Sequence, residues 1–568
     1  MRCREAFLRL NPAARRWAVI VSFLFYSSSH AQTGSAILLN DVTSETGISF
    51  RHSDGSSGRY YIVESVSSGL VLFDYDSDGD VDIYFLNGGA LKGTKYENTP
   101  RNALYRNDGN WRFTDITEES GLGDTGHALG ATAGDYDNDG DSDVYITNFG
   151  PNVLFRNNGD GTFTDVTTEA GVANGRNVGA GANFLDTDKD GDLDLFVASY
   201  VNFTYDNHSS STISGYPMYV EPDAYRPRPD ALYRNKGDQT FEDVTEESGI
   251  AEGKGSSMGT VCADYDNDGD TDIFVANDMM QNFLWQNDGT GKFEEVGLFA
   301  GVGYDTNGKT MGSMGIGCGD FNGDSLLDFC VTAYHEQVPS LYENLGDGMF
   351  EDVASIAGVD DRAVHTATWG NDFIDFDNDG DRDLFLALGH LQDNIERWDK
   401  RSTYLARNVL LMNTGDGRFV NVSDSSGNGM EVMLSSRGAA FDDLDNDGDV
   451  DVVVLNSRRE PTVLRNDSPQ QGHWLQIKLQ GTKTNRDGVG ARVTTTAGDL
   501  VLVDEVHSGR GYQSHYGTRL YFGLGKHNRV DSVEVRWIGG TTEVFRDIAA
   551  DRLVTLVEGK GEPKAAGK

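Results

Sequence analysis

The chain has 568 residues, and its 90 Asp and Glu against 47 Lys and Arg give a formal net charge of -43 with a pI near 4.4. That surplus repels polyanions and argues against nucleic acid or an anionic membrane as a partner. With 38% hydrophobic and 10% aromatic residues the sequence still describes a folded chain with a core, and its 69 glycines predict many tight turns.

The first element reads as an export signal. Residues 1–31 carry Arg2, Arg4, Arg9, Arg15 and Arg16, an apolar run from Trp17 to Tyr26, and then Ser29, His30 and Ala31. A basic start, an apolar stretch too short to span a bilayer and a small-x-small site predict a signal peptide cut after Ala31. No second stretch is long and apolar enough to span, so the expected location is secreted, extracellular or periplasmic. Cys3, Cys262, Cys318 and Cys330 are too few and too scattered for a disulfide framework.

Residues 36–468 repeat one unit. Its mark is an acidic nonapeptide with Asp at every odd position and Gly at position 6. The copies are Asp74, Asp76, Asp78, Asp80, Asp82; Asp135, Asp137, Asp139, Asp141, Asp143; Asp186, Asp188, Asp190, Asp192, Asp194; and Asp264, Asp266, Asp268, Asp270, Asp272. Two more are Asp375, Asp377, Asp379, Asp381, Asp383 and Asp443, Asp445, Asp447, Asp449, Asp451. A fifth loop, in chain order, departs from the rule as Asp320, Asn322, Asp324, Leu326, Asp328, with Ser325 at position 6.

Small and apolar residues precede each loop and a β-rich run follows it, which reads as strand, acidic turn, strand. A third strand follows as Leu104-Tyr105-Arg106-Asn107, Leu232-Tyr233-Arg234-Asn235 and their relatives. A Gly-containing hairpin then leads to a fourth strand such as Phe163-Thr164-Asp165-Val166-Thr167. Seven four-stranded units around an axis predict an all-β, seven-bladed β-propeller. The fourth-strand signature also occurs alone at Asp41-Val42-Thr43, while the seventh unit has none after Asn466. The N-terminal strand is therefore expected to close the last blade.

Five carboxylates in nine residues repel one another unless a cation neutralises them. Ca2+ takes six to eight oxygens, and Asp side chains at positions 1, 3, 5 and 9 with the carbonyl at 7 would supply them, Gly allowing the turn. Up to seven structural calcium ions are expected, the fifth loop being the weakest site. The loops are not EF-hands, since Phe85 stands at position 12 after Asp74 and the flanks are strands.

Residues 469–558 lack the acidic repeat and alternate as half-buried strands, predicting a small β-sandwich-like domain, with 559–568 as a disordered tail. Here Asn485-Arg486-Asp487-Gly488-Val489-Gly490, Ser508-Gly509-Arg510-Gly511-Tyr512 and Phe522-Gly523-Leu524-Gly525 resemble the ASPIC/UnbV domain. The acidic loops resemble FG-GAP (VCBS) repeats, and together the two resemble the cartilage acidic protein family and its bacterial relatives. The resemblance implies a secreted, calcium-binding, integrin-type propeller with a C-terminal cap. The insertion from Tyr200 to Asp230 lacks the cysteines that relatives often carry there, which puts a family disulfide in doubt.

Beyond calcium, the connections at 87–102, 200–230 and 388–408 are the longest and are expected on one rim. Tyr205, Tyr216, Tyr219 and Tyr225, with Trp398 and His390, are candidate contacts for a sugar or protein; the competing reading is local packing. His52, His127, His335, His365, His390 and His515 show no metal spacing, and no nucleophile elbow is present, so no catalytic set emerges. Cys262 and Cys318 read as core residues. Asn202, Asn207 and Asn421 head glycosylation sequons.

The leading expectation is an exported calcium-binding recognition or adhesion module for an extracellular protein or glycan. The alternative is a polysaccharide hydrolase or lyase, which calls for a deep central pocket. A third reading places function in the C-terminal domain with the propeller as a spacer.

Overall fold

The computed structural model describes residues 37–66, 68–96, 98–175, 177–359, 365–469 and 472–564. The predicted signal peptide lies outside the described residues. The fold is all-β, with short one-turn helices at corners.

Each acidic nonapeptide joins the first two strands of an antiparallel sheet. Sheet one is Leu70–Phe73, Asp82–Phe85, Ala103–Asn107 and Phe113–Asp115, and the same order recurs through sheet six, which ends at Phe419–Asn421. Sheet seven contains Ser436–Asp442, Asp451–Asn456 and Thr462–Asn466, and its fourth strand is the N-terminal Leu39–Asp41. Leu39 pairs with Asn466 and Asp41 with Leu464.

The first strands of successive sheets lie side by side, from sheet one through sheet seven and from seven back to one. Glycine makes this approach possible. A Cβ at Gly130 would stand 2.4 Å from the Ala180 carbonyl oxygen, and one at Gly315 would stand 2.2 Å from that of Trp369. Gly181, Gly259, Gly370 and Gly438 hold the equivalent contact with the next sheet. The apolar side chains around them, such as Leu72, Val261, Phe373 and Val453, are buried.

The fourth strands are shorter than the sequence suggests. Phe163–Asp165 has three residues, after which Thr167–Ala170 forms one helical turn ended by Gly171 at φ +83°. Asp165 Oδ1 accepts the Thr167 N–H and hydroxyl at 3.0 and 2.6 Å, and Thr167 Oγ1 accepts the Leu154 N–H at 2.9 Å. Asp-Val-Thr is thus a strand-to-turn corner, because its side chains bond the backbone locally. The N-terminal copy repeats it, with Thr43 N–H on Asp41 and Val463 N–H on Thr43 Oγ1.

The C-terminal residues form two sheets. One pairs His473–Gln480 with Arg519–Gly525 and, in parallel, with Arg552–Val557; the other orders Leu500–Glu505, Arg492–Ala497, Arg529–Arg536, Thr542–Ala549 and Glu562–Pro563. Leu475, Ile477, Val533, Val535, Trp537 and Leu556 share one buried cluster across them. The expected tail from 559 is corrected in part, since Glu562 and Pro563 pair with Val544 and Glu543, and the Lys564 ammonium reaches Glu534 at 2.6 Å.

Candidate metal centres

The seven acidic loops share one internal wiring. The position-1 carboxylate accepts the N–H of position 6 in every copy, from Gly79 on Asp74 at 3.2 Å to Gly448 on Asp443 at 2.8 Å. The position-5 carboxylate accepts the N–H of position 7, as in Asp80 on Asp78 at 2.9 Å. The residue at position 4 has a left-handed backbone in all seven: Ser77, Asn138, Lys189, Asn267, Gly323, Asn378 and Asn446. Four of these are Asn, which tolerates that conformation.

Position 9 is buried. Its Oδ1 accepts the backbone N–H of the Asn that ends the third strand, at 2.7–2.9 Å in Asp82, Asp143, Asp194, Asp272, Asp328, Asp383 and Asp451. That Asn was visible only as part of a strand motif, yet it links repeats. Its amide donates to the position-2 carbonyl of the preceding loop, Asn157 to Tyr75 and Asn235 to Tyr136 among them. Asn287, Asn344, Asn413 and Asn466 do the same, and Asn107 donates to Leu444 of the seventh loop.

The remaining oxygens converge. One ligand atom from each of Asp74, Asp76 and Asp78 lies within 4.8 Å of the others, and so do those of Asp186, Asp188 and Asp190. In the second and fourth loops the convergent trios are Asp135, Asp137, Asp143 and Asp264, Asp266, Asp272. Asp74 Oδ1, Asp137 Oδ1, Asp186 Oδ1, Asp188 Oδ1, Asp264 Oδ1 and Asp445 Oδ1 are buried without a hydrogen-bond partner. Burial pushes Asp82 and Asp135 up to about 8 and Asp186 up to about 7, and neighbouring carboxylates add to the rise. Clustered, desolvated, all-oxygen donors fit a hard divalent cation, which would remove the cost of ionising them.

The fifth loop differs as the sequence suggests. Asn322 turns its amide toward Glu343 and Asp324 at 3.1 and 3.3 Å, and Leu326 supplies no side-chain oxygen. At position 7 four of the other loops use their carboxylates between neighbours. Asn138 donates to Asp192 at 3.0 Å, Asn378 to Asp449 at 2.7 Å and Asn446 to Asp80 at 2.7 Å. Lys189, at position 4 of the third loop, pairs with Asp270 of the next loop.

The C-terminal domain covers these loops, a relationship with no signal in the spacing. Gln476 donates to Asp443 at 2.6 Å, Asp487 accepts the Asp135 N–H at 2.8 Å and Glu505 accepts the Asp264 N–H at 3.1 Å. Arg536 pairs with Asp264, Arg519 reaches the Gly79 carbonyl, Arg492 that of Ser325, and the Gly525 N–H that of Asn378. Lys483 packs on Gly191 of the third loop.

Between Glu505 and Arg519 the chain leaves its own sheets and runs among the first strands. His515 exchanges backbone bonds with Leu70 and Leu72, Gln513 accepts from Ala131, and Ser508 from Asn183. His507 bonds the Cys262 carbonyl, Gly511 pairs with Ile316, Arg510 forms a 2.6 Å ion pair with Asp372, and Tyr516 packs on Phe441. Ten residues, 507–516, therefore touch the first strand of every sheet.

At the other ends of the strands the three long connections meet, but their aromatics do not form one open surface. Tyr219 and Tyr225 are buried, and Tyr205 packs edge-on against Tyr61 and Phe149. The 200–230 and 388–408 segments clasp through Tyr219 and Gln392, two bonds of 2.9 Å, which removes these rings from solvent. His390 is buried and Trp398 half-buried. Tyr216 stays open, with the Arg397 guanidinium 5.2 Å from its ring centroid, as do Tyr96 and Ile213.

His335 and His390, far apart in sequence, meet with ring centroids 5.1 Å apart, beside Ser402 and Asp399. This is not a nucleophile relay. Ser402 at 2.8 Å and Asp399 at 3.6 Å both approach His335 Nε2, whereas a relay needs them on opposite nitrogens, and Arg401 holds Asp399. Cys262, Cys318 and Cys330 are free and buried, and burial pushes their thiols up, Cys330 to about 12.

Family models match both the repeat region and the C-terminal domain. FG-GAP-like repeats match residues 74–146, 135–197, 223–275, 264–331 and 320–386, and the ASPIC and UnbV family matches 481–563. Cartilage acidic protein 1 of Homo sapiens is 26% identical over 525 residues, spanning 86% of this chain and 71% of that protein. The Mus musculus protein is 26% identical over 459 residues, 76% of this chain and 64% of its own length. Among solved structures, an Agrocybe aegerita lectin described as recognising terminal N-acetylglucosamine aligns at TM-score 0.36 and 16% identity, over 63% of this chain and 81% of its own. The rhamnogalacturonan lyase YesW aligns at TM-score 0.36 and 14% identity, over 71% of this chain and 72% of its own.

Proposed function

Because the chain belongs to the FG-GAP-like repeat proteins that carry an ASPIC and UnbV domain, we propose that it is an exported, calcium-binding seven-bladed propeller that recognises an extracellular protein or glycan. The observation that carries the calcium part is the set of buried, unpartnered Asp oxygens converging in the acidic loops. Bound calcium would supply charge neutralisation and cross-link each turn, a structural role, since the C-terminal domain covers the loops and leaves little access for a substrate. Ring closure is supported by the N-terminal strand in sheet seven and by the link from Asn107 to Leu444. In this reading residues 36–468 form the propeller and 469–564 its cap.

Recognition then falls to the uncovered end, where the long connections present Tyr96, Ile213 and Tyr216. The segment 507–516 on the axis weighs against a channel-mouth hydrolase or lyase. Among the described residues no helix is long and apolar enough to cross a membrane. The test is a screen of the full chain against glycans and extracellular proteins, with and without calcium. A ligand whose binding is lost in Tyr216→Ala supports the reading; binding only through the capped end contradicts it.

A further inference from the structure

At the uncovered end, where the second strand of sheet three ends in Ser199 and that of sheet four in Met280, a cavity of about 30 Å³ lies beneath the 218–222 segment. The clasp between Tyr219 and Gln392 holds that segment over it. Asp278 and Glu221 bring two carboxylates to the cavity, and no Lys, Arg or His lines it. Asp278 Oδ2 accepts the Tyr200 hydroxyl at 2.8 Å. Burial pushes the Asp278 carboxyl up to about 7, and the Glu221 charge adds to the rise. The rest of the wall is mainly aromatic, thioether and aliphatic, including Tyr200, Tyr334, Met314 and Leu391, with Ser65 and Gln392 as further polar side chains. Trp369 also lines it, but the Arg437 guanidinium covers its ring at 4.0 Å, which leaves the tyrosine rings as the available π-faces.

A part-buried carboxylate in a cavity whose wall holds tyrosine rings and no basic side chain calls for a cation. Ca2+ prefers a shell of six or more oxygens, whereas the two carboxylates here are set among aromatic, thioether and aliphatic groups, which suits an organic cation better. An organic ammonium needs one counter-ion and apolar or aromatic contacts for its methylenes. The volume suits a group of about two heavy atoms. We propose that the cavity binds the end of a primary alkylammonium, with Asp278 as its counter-ion, Glu221 as a second negative charge at the entrance, and the Tyr200 and Tyr334 rings against its methylenes. The site is independent of the acidic loops and of calcium.

The experiment is calorimetric titration of the full chain, in calcium, with n-butylammonium, with Nα-acetyl-lysine methylamide and with butan-1-ol. Saturable binding of n-butylammonium but not of butan-1-ol is expected. Binding of the lysine derivative as well identifies a protein side chain as a fitting source, and its failure restricts the site to free amines. Asp278→Asn should weaken binding about tenfold or more, equivalent to about 1.4 kcal/mol. Glu221→Gln, at an exposed residue, should weaken it severalfold and decides the matter if Asp278→Asn does not fold. Equal binding of butan-1-ol, no saturable binding of n-butylammonium, or unchanged affinity in both variants overturns the proposal.

Discussion

The side-chain amide of Asn107 donates to the carbonyl of Leu444 at 2.8 Å, across 337 positions of sequence. Asn157 makes the same bond to Tyr75, and five further asparagines repeat it between consecutive sheets. Both the Asn107 and the Asn157 amide also donate to a carbonyl of their own repeat, Asn107 to Val81 at 3.1 Å and Asn157 to Ser142 at 3.2 Å. Alanine at either position strands two buried acceptors and should cost about 2–4 kcal/mol. Urea unfolding of Asn107→Ala and Asn157→Ala is expected to give equal losses. A much smaller loss at Asn107 would mean that the first and seventh sheets are joined less firmly than the others.

Ser325 takes the place that glycine holds in the other six loops, and it does so at φ 69°. A side chain there is strained by crowding against the following carbonyl. Ser325→Gly should stabilise the fold by about 0.5–1 kcal/mol after the entropy of the extra glycine is offset. Its Tm should rise by a small, measurable step, and a fall would show that the serine hydroxyl holds the loop.

Arg510 and Asp372 form a buried pair at 2.6 Å, with Tyr516 donating to the same carboxylate at 2.6 Å. Arg510→Ala leaves that carboxylate uncompensated and should destabilise by about 3–5 kcal/mol. Adding Asp372→Asn should recover part of the loss, which a double-mutant cycle reads directly. Additive effects would separate the two residues energetically. Residues 507–516 bond the first strands of the sheets, so residues 469–558 expressed alone should not order this segment.

Asp230 is buried, accepts the Ser199 N–H at 2.8 Å and the Ser257 hydroxyl at 3.1 Å, and its carboxyl is pushed up to about 7 by burial. Because the folded value lies above the unfolded one, the folded state holds the extra proton. The contribution of this group is therefore full below about pH 4 and is lost as pH rises through about 7. Asp230→Asn should gain stability relative to the wild type between these limits. Parallel stability profiles for the two proteins would contradict the assignment.

Much of the repeat was readable because its chemistry is dense. Five carboxylates in a nonapeptide mark a turn, and the lone Asp41-Val42-Thr43 marks a strand without a sheet. The rest was hidden for definable reasons. Gly259 and Gly315 look like turn residues until a neighbouring backbone is placed against them. The segment 507–516 binds largely through backbone groups, which no residue pattern announces. Tyr219 and Tyr225 read equally as ligand contacts or as packing, and only the meeting of the 200–230 and 388–408 connections buries them. The ion pair of Lys189 was hidden because Asp270, its partner, belongs to the next loop.

In the proposed function, calcium holds the acidic loops. The direct measurement is calcium content by mass spectrometry after dialysis, together with the melting curve before and after chelation with EDTA. Several calcium ions per chain, and a Tm lowered by many degrees on chelation and restored by added calcium but not by magnesium, are predicted. No retained calcium and an unchanged melting curve would contradict the account.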